Sequence, residues 1–173
     1  MNLLVIRHAI AEDREAFAKS GRDDDQRPLT QAGRGKMRRG ARGLRTVAGR
    51  APILASSPLV RARQTAEIVA PELGASRVEI VEALRPDRSF DELLKWLRSH
   101  SAHNDDEDST VAVVGHEPHL GGLVTWLMTG GDDSRIELKK GAACLVHFDG
   151  PPNKGEGVLR WALTPSQLRD LAQ

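Results

Sequence analysis

The sequence predicts an α/β fold in which a mostly parallel sheet carries antiparallel strands at one edge. Short apolar segments alternate with helical patterns as far as residue 128, which is typical of parallel strands joined by crossover helices. The chain then changes character, because three strand-like segments follow one another with a Gly- and Pro-rich connection between the last two. With 173 residues, no internal repeat and no long linker, we expect one domain over residues 1–173.

The predicted strands are short and apolar. Asn2–Ile6 is apolar almost throughout, as expected of a strand that is covered on both faces. The next three are predicted at Ile53–Ala55, Val78–Val81 and Thr110–Val114. The later segments that have the composition of strands are Arg135–Lys139, Ala142–Phe148 and Val158–Leu163.

Each predicted helix has a start or stop signal. Thr30 is placed to cap a long helix, although the glycines of that helix weaken its intrinsic helix propensity. Ser56-Ser57-Pro58 offers a cap and a first-turn proline for a helix over Leu59–Val69. Ser89–Glu92 is a capping box that opens a further helix. Two more helices are expected, one from about Pro118 to Met128 and one after Thr164-Pro165, whereas Ala11–Arg27 is expected to be a loop.

Composition and charge exclude several classes of protein. The 25 basic and 24 acidic residues give a formal net charge of +1, which argues against a disordered chain and against nucleic-acid binding driven by bulk charge. No apolar run approaches the ~18–20 residues of a membrane span, and the first residues have the pattern of a strand rather than of a signal peptide. Cys144 is the one cysteine and cannot form an internal disulfide, as is typical of a reducing compartment. We therefore expect a cytoplasmic protein that binds neither membrane nor nucleic acid.

Residues 34–50 carry seven basic side chains and no acidic one. A nucleic-acid-binding arm is one interpretation, but Met37, Ala41 and Leu44 recur beneath the arginines at helical spacing. A solvated basic helix face is therefore favoured, since the chain also lacks tyrosine and offers no aromatic platform for bases. The acidic run Asn104–Asp108 does not have the spacing of an EF-hand.

Unusual polar residues follow three of the predicted strands. Arg7-His8 ends the first strand, Ser56-Ser57 and then Arg61 follow the second, and Gly115-His116 ends the fourth. Taken singly, a histidine at a strand end is more often a hydrogen-bonded surface residue. Ligands of open α/β sheets bind at the carboxyl ends of the strands, so neighbouring strands would bring two arginines and two histidines into one crevice. Because guanidinium groups repel one another and bind phosphate bidentately, the sequence predicts a phosphoryl site.

The motifs that are absent narrow the chemistry. The chain has no P-loop pattern, Cys144 lacks the following arginine of cysteine phosphatases, and no closely spaced aspartate pair follows a strand. His116 and His119 are three residues apart, unlike the pair of a zinc hydrolase helix, so we expect no metal and no cofactor. Histidine remains as the nucleophile.

Four segments together resemble the histidine phosphatase superfamily, which also includes the phosphoglycerate mutases, and within it the small SixA-type phosphohistidine phosphatases. The segments are Val5–Ala9, Arg27–Thr30, Ser56–Ala66 and Val114–Leu120, and the resemblance runs from residue 3 to about residue 128. It departs from the family at Ala9, where many members have glycine. The resemblance implies a Rossmann-like three-layer fold, metal-independent hydrolysis and a phosphohistidine enzyme intermediate. Between Glu82 and Val111 the chain is too short for the inserted cap domain of larger members.

The resemblance also implies the roles of individual residues. His8 would be the nucleophile, while Arg7, Arg61 and His116 would hold the phosphoryl oxygens. Glu82 matches the place of an acidic proton donor in larger members, although a surface glutamate is an equally good interpretation. Arg27 would touch the phosphate or a partner protein, or be an ordinary loop arginine.

An open crevice fits a phosphorylated side chain of another protein better than a small molecule that must be enclosed. The resemblance therefore implies a phosphohistidine phosphatase that acts on a partner protein, such as a histidine phosphotransfer domain. The alternative is a metal-independent phosphomonoesterase that acts on small phosphate esters. A non-catalytic phosphoprotein-binding module is disfavoured, because a binder needs no nucleophile.

Overall fold

The computed structural model describes residues 1–101 and 109–172, so the acidic run Asn104–Asp108 lies outside the described residues. Its strands are β1 (Asn2–Arg7), β2 (Ile53–Ser56), β3 (Glu79–Ile80), β4 (Thr110–Gly115), β5 (Ala143–His147) and β6 (Val158–Leu163). They form one sheet in the order β3-β2-β4-β1-β5-β6. The first four strands in this order are parallel, β5 runs antiparallel to β1, and β6 runs antiparallel to β5. The predicted fold class, a mostly parallel sheet with an antiparallel edge, is confirmed.

Helices cover both faces of the sheet. They are α1 (Arg14–Ala18), α2 (Gln31–Ala48), α3 (Val60–Leu73), α4 (Phe90–Ser101), α5 (His119–Thr129) and α6 (Pro165–Asp170). Side chains of α2, α3 and α6 pack on Leu4 and Ile6, whereas those of α4 and α5 pack on Leu3 and Val5. This alternation along β1 follows the two-residue period of a strand and gives the sheet an apolar core on each face. Between β3 and β4 the described residues contain only a 3₁₀ turn and α4, and no inserted cap domain. No described helix has the length and apolar character that crossing a bilayer requires.

The segment Arg135–Lys139, predicted as a strand, pairs with no described strand. Its backbone groups bind side chains instead, because the Leu138 amide donates to the Glu117 carboxylate at 2.8 Å and the Ile136 amide donates to the Ser134 hydroxyl at 3.2 Å. The strand prediction is wrong here, since composition cannot show that the backbone groups of this segment bind side chains and not a neighbouring strand.

Two other expectations about local structure are corrected. The stretch Ala11–Arg27 is not simply a loop, since it contains α1, capped by the Asp13 carboxylate and burying Phe17, and a 3₁₀ turn over Asp24–Gln26. The helix after β2 begins at Val60, and its N-cap residue makes no side-chain capping bond. With five residues and one buried side chain, α1 has too little periodicity to be detected in the sequence.

The glycines of α2 lie where other parts of the backbone pack against the helix. A Cβ at Gly33 would lie 2.1 Å from the carbonyl oxygen of Ile10, and one at Gly43 would lie 1.8 Å from that of Leu168. The helix nevertheless runs for 18 residues from its predicted cap, where the Thr30 hydroxyl accepts a hydrogen bond from the Gly33 amide at 2.9 Å. Its arginines are largely exposed, as a solvated basic face requires. These glycines therefore weaken the isolated helix but allow close backbone contacts in the folded protein.

We expect Gly43→Ala to lower the free energy of unfolding by about 1–3 kcal/mol, because the new methyl group forces α6 away from α2. Gly35→Ala is the matched control on the same helix, since nothing lies within 4 Å of a Cβ at that position. It should leave stability unchanged or raise it by about 0.5–1 kcal/mol. Urea unfolding of both variants measures the difference, and equal effects would contradict the close contact.

Candidate active site

The carboxyl ends of β1, β4 and β2 meet at one edge of the sheet. The His8 amide donates to the carbonyl of Gly115 at 3.0 Å, and the Ser57 amide donates to that of Val114 at 3.0 Å. The imidazole rings of His8 and His116 lie 5.1 Å apart, centroid to centroid. A crevice of about 660 Å³ opens here, and its lining includes Arg7, His8, Arg27, Arg61 and His116. The fold thus brings together the two histidines and three arginines that the sequence singled out.

His8 is held in one tautomer. Its Nδ1 lies 2.7 Å from the carbonyl oxygen of Ala9, and a carbonyl can only accept, so Nδ1 carries the proton and Nε2 keeps its lone pair. Burial lowers the pKa of His8 to about 3, against the raising effect of the Ala9 carbonyl and with help from the charges of Arg61 and Arg7. The imidazole is therefore neutral near neutral pH, as a nucleophile must be.

Ala9, the departure from the family pattern, is compatible with this geometry. No described residue other than glycine has a positive φ, so the backbone at Ala9 does not require glycine. The Ala9 amide donates to the Thr65 hydroxyl at 3.0 Å, and that hydroxyl donates to the Arg61 carbonyl at 2.7 Å. These bonds connect the end of β1 to the first turns of α3.

His116 is buried, with its Nε2 2.9 Å from the hydroxyl of Ser57. Its Nδ1 is buried without a hydrogen-bond partner among the described residues. Burial lowers the pKa of His116 to about 2, assisted by the neighbouring His8 and Arg61. The expected helix cap at Ser57 is corrected: the helix begins at Val60 with Leu59 as its N-cap residue, and the Ser57 hydroxyl bonds His116 and accepts from the Leu59 amide at 3.4 Å.

The arginines present buried hydrogen-bond donors to the crevice. An Nη of Arg7 donates to the Leu138 carbonyl, and Nη1 of Arg61 donates to the Asp24 carbonyl at 2.9 Å. The Nε atoms of Arg7 and Arg61 are buried and lack a partner in the described part of the chain. Because unpartnered buried donors are costly, these atoms favour an anion with several acceptor oxygens between them.

Asp24 is a site residue that the sequence analysis missed. Its carboxylate lies 2.7 Å from Nε of Arg27 and 3.3 Å from an Nη of Arg61. Burial works to raise the pKa of Asp24, but the bond from Arg27 and the charge of Arg61 outweigh it and the pKa is lowered. Asp24 thus stays ionised and offsets the mutual repulsion of the arginines. An acidic run beside a predicted anion site, Asp23–Asp25, was the signal that could have revealed it.

Glu117 is a second residue that sequence reasoning passed over. Its carboxylate accepts hydrogen bonds from the Leu138 amide at 2.8 Å and the Gly121 amide at 3.2 Å. Burial raises the pKa of Glu117, with these two amides opposing the shift. The carboxylate therefore fixes the segment whose Leu138 carbonyl accepts from Arg7. Its position directly after His116 was the available signal.

Of the two remaining predicted site residues, Arg27 lines the crevice and Glu82 is not among the described residues that do. Arg27 is buried, lines the crevice and donates to the Glu12 carbonyl at 2.7 Å, and its contact with phosphate or a partner protein stays a prediction. Glu82 is exposed in the 3₁₀ turn Glu82–Leu84 and is not among the described residues that line the crevice. Its charge acts on Arg85, which binds Asp25 at 2.6 Å. Its role as proton donor stays a prediction.

His119 lies apart from the other two histidines of interest. It is the first residue of α5 and is buried with its ring 5.1 Å from that of Phe90, and its Nε2 donates to the Arg88 carbonyl at 3.1 Å. Among residues 1–101 and 109–172, no three His, Cys, Asp or Glu side chains are grouped so that they could hold a metal ion.

The two crevice histidines should make stability depend on pH. In the unfolded chain each protonates near its ordinary pKa of 6.5, whereas burial lowers the folded pKa of His8 to about 3 and that of His116 to about 2. Stability is therefore full above the unfolded pKa and declines as the pH falls from there towards the folded values, by about 2 kcal/mol per histidine at about pH 5. We expect His8→Gln to show a smaller decline than the wild type in urea unfolding between about pH 7.5 and about pH 5. An unchanged decline, with His100→Gln as control, would contradict the burial argument.

Comparison with known proteins identifies the family. Residues 3–93 match the model of the histidine phosphatase superfamily, branch 1. An uncharacterized protein of Picosynechococcus is 34% identical over 140 residues, which cover 81% of each chain. The structure of the protein histidine phosphatase SixA with tungstate is 26% identical, covers 97% of this chain and 99% of that one, and has a TM-score of 0.80.

A more distant structure shows the fold alone. Phosphoserine phosphatase from Entamoeba histolytica, solved with 3-phosphoglyceric acid, is 18% identical and has a TM-score of 0.67, covering 96% of this chain and 98% of that one. The family match, the related sequence and the geometry of the crevice together show that the chain belongs to the histidine phosphatase superfamily and is a phosphatase with a SixA-like fold.

Proposed function

We propose that this chain is a phosphohistidine phosphatase that removes phosphate from a phosphorylated histidine of a partner protein. The observation that carries the proposal is the neutral His8, whose Nε2 keeps its lone pair beside two arginines whose Nε atoms have no partner among the described residues. The similar structure of the protein histidine phosphatase SixA is a complex with tungstate, a tetrahedral oxyanion like phosphate, and this supports a phosphoryl group as the ligand of the crevice.

Two displacements complete the proposed reaction. His8 Nε2 attacks phosphorus, the P–N bond of the substrate breaks, and its electron pair returns to the departing imidazole. The Ala9 carbonyl then stabilises the cationic ring of phospho-His8 by accepting from Nδ1. Water then attacks the same phosphorus, the P–Nε2 bond breaks with its electron pair returning to neutral His8, and the product leaves as dihydrogen phosphate, which gives its excess proton to solvent. Charge spreads over the phosphoryl oxygens in each transition state, where Arg7, Arg61 and His116 donate hydrogen bonds.

The absence of an inserted cap between β3 and β4 in the described residues supports a substrate that reaches in from another protein. A phosphohistidine substrate also places a smaller demand on a proton donor, because its leaving nitrogen can be protonated before the bond breaks. An alkyl ester needs a positioned acid. Of the three carboxylates among the described residues that line the crevice, Glu117 accepts from two amides, Asp13 caps α1 and Glu12 is exposed.

The test is turnover of a phosphohistidine phosphotransfer domain beside a panel of small phosphate esters, with EDTA present throughout. We expect the phosphoprotein to be dephosphorylated fastest, without added metal. Faster hydrolysis of an ester would favour the phosphomonoesterase alternative. Loss of activity in EDTA that zinc or magnesium restores would overturn metal-independent catalysis.

Glu82→Gln tests the proposed proton donor. If Glu82 donates a proton to the leaving group, the variant slows hydrolysis of an alkyl phosphate ester by ~10²–10⁴-fold and hydrolysis of phosphohistidine much less. Glutamine keeps the size of the side chain and removes only the transferable proton. Glu79→Gln, on β3 and outside the crevice lining, is the control. Small and equal effects on both substrates would make Glu82 a surface residue.

A further inference from the structure

A second cavity, of about 410 Å³, lies beside the crevice. Its walls are α2, α6 and the turn at residues 139–141, and we call it the basic groove, defined by Lys36, Met37, Lys139, Lys140, Pro165 and Arg169. Arg7 and Lys140 line both the groove and the crevice. A ligand bound in the groove would therefore lie next to a phosphoryl group bound at His8 in the crevice.

The groove concentrates positive charge in a protein whose overall net charge is close to zero. Five basic side chains line it and no carboxylate does, although the whole chain has a formal net charge of only +1. Lys36, Lys139 and Lys140 are exposed, and neither they nor Arg169 form an ion pair with any described residue. A concave surface of this kind attracts and orients an acidic ligand.

The backbone that carries Lys139 and Lys140 is anchored to the end of β1, next to the nucleophile. The Gly141 amide donates to the carbonyls of Arg7 and His8 at 3.2 and 3.0 Å, and the Ala142 amide closes the turn on the Lys139 carbonyl at 2.7 Å. On the opposite wall, Nε of Arg39 donates to the carbonyl of Arg169 at 3.1 Å. The backbone of the groove is thus anchored on both walls, and one wall is bonded directly to the strand end that carries His8.

The floor of the groove is apolar. Ala9, Ile10, Met37 and Pro165 lie beneath the basic rim, and no aromatic side chain is among the described residues that line it. An apolar floor within a basic rim matches a segment that has apolar side chains on one face and carboxylates beside them. Single-stranded nucleic acid fits less well, because its bases have no platform on which to stack.

We propose that the basic groove docks an acidic, amphipathic segment of the phosphorylated partner protein and so presents its phosphohistidine to His8. This inference rests on the proposed function and adds the chemistry by which the partner is recognised. A small phosphate ester bound in the crevice would not extend into the groove and would gain nothing from it.

The test is charge reversal in the groove without change to the crevice. Lys36→Glu/Lys139→Glu alters two groove residues that are outside the crevice lining, and Lys95→Glu/Arg160→Glu makes the same change in charge at exposed positions elsewhere. We expect the groove variant to lower kcat/KM for the phosphoprotein at least about tenfold, through KM, at low salt. Hydrolysis of free phosphohistidine should stay unchanged in both variants. Equal losses on both substrates, or no loss on either, would overturn docking in the groove.

A binding measurement separates this inference from the proposed function. The probe is an unphosphorylated, fluorescent helical peptide with leucines on one face and glutamates beside them, titrated in parallel with a single-stranded RNA and with anionic lipid vesicles. We expect the peptide to bind the wild type and the control variant and to bind the groove variant at least about tenfold more weakly. Such binding in an enzyme that does not turn over phosphohistidine would leave docking intact and end the proposed function. Groove-dependent binding of RNA or vesicles without binding of the peptide would overturn the inference.

Discussion

Replacing His8 by alanine is expected to lower phosphatase turnover at least about a thousandfold, because the phosphoryl group then has no covalent acceptor. Brief mixing of the wild type with ³²P-labelled phosphoprotein, followed by an alkaline quench, should leave acid-labile label on the enzyme. His8→Ala should carry none. The expected linkage is to Nε2, since Nδ1 donates to the carbonyl of Ala9.

Two further variants make this result interpretable. His8→Asn keeps a side chain of similar bulk and should be as inactive as alanine, which excludes collapse of the crevice as the cause. His100→Ala, on α4, removes a histidine outside the crevice lining and should keep full activity. A His8→Ala enzyme that retained more than about a tenth of the wild-type rate would end the covalent mechanism.

The loss expected for Arg61→Gln is the second largest, about 10²–10³-fold in kcat/KM, because a fixed cationic donor to the transition state is removed. Arg61→Lys should recover little of this loss. Lysine keeps the charge but has no planar guanidinium group. It cannot donate to the Asp24 carbonyl and at the same time offer a second donor, as Nε of Arg61 does, to the phosphoryl group.

Arg63→Gln is the matched control for this substitution. Arg63 lies two residues further along α3, is exposed, and is not among the described residues that line the crevice. Its loss should change kcat/KM by less than about twofold, as is usual for an isolated surface charge. Similar effects of the two variants would show that the general charge of α3, and not the position of Arg61, supports catalysis.

The parts of the site that lie at strand ends could be predicted from the sequence. Arg7-His8 and Gly115-His116 each interrupt an apolar run, and parallel strands place such interruptions at the same edge of a sheet. What the pattern alone could not provide was that β4 lies between β1 and β2, because strand order depends on contacts far apart in the chain.

The residues that were missed act through partners distant in sequence. Asp24 bonds Arg61 across 37 positions, and Glu117 bonds the amide of Leu138 across 21. Neither contact produces a periodic pattern or a motif in the sequence from which it could be predicted. The mistaken strand at Arg135–Lys139 has this cause in part. Its apolar alternation is real, but the Leu138 amide donates to the distant Glu117 and the Ile136 amide to the nearby Ser134, instead of to a neighbouring strand.

The close packing of α6 on the glycines of α2 has a consequence for the order of folding. Glycines at positions 33, 35, 40 and 43 give this segment a low tendency to form a helix alone. Its helical state therefore depends on the neighbours that cover it, and one of these, Pro165–Asp170, is synthesised long after it. We therefore expect α2 to reach its full stability in the nascent chain only once Pro165–Asp170 has left the ribosome and packed against Gly43.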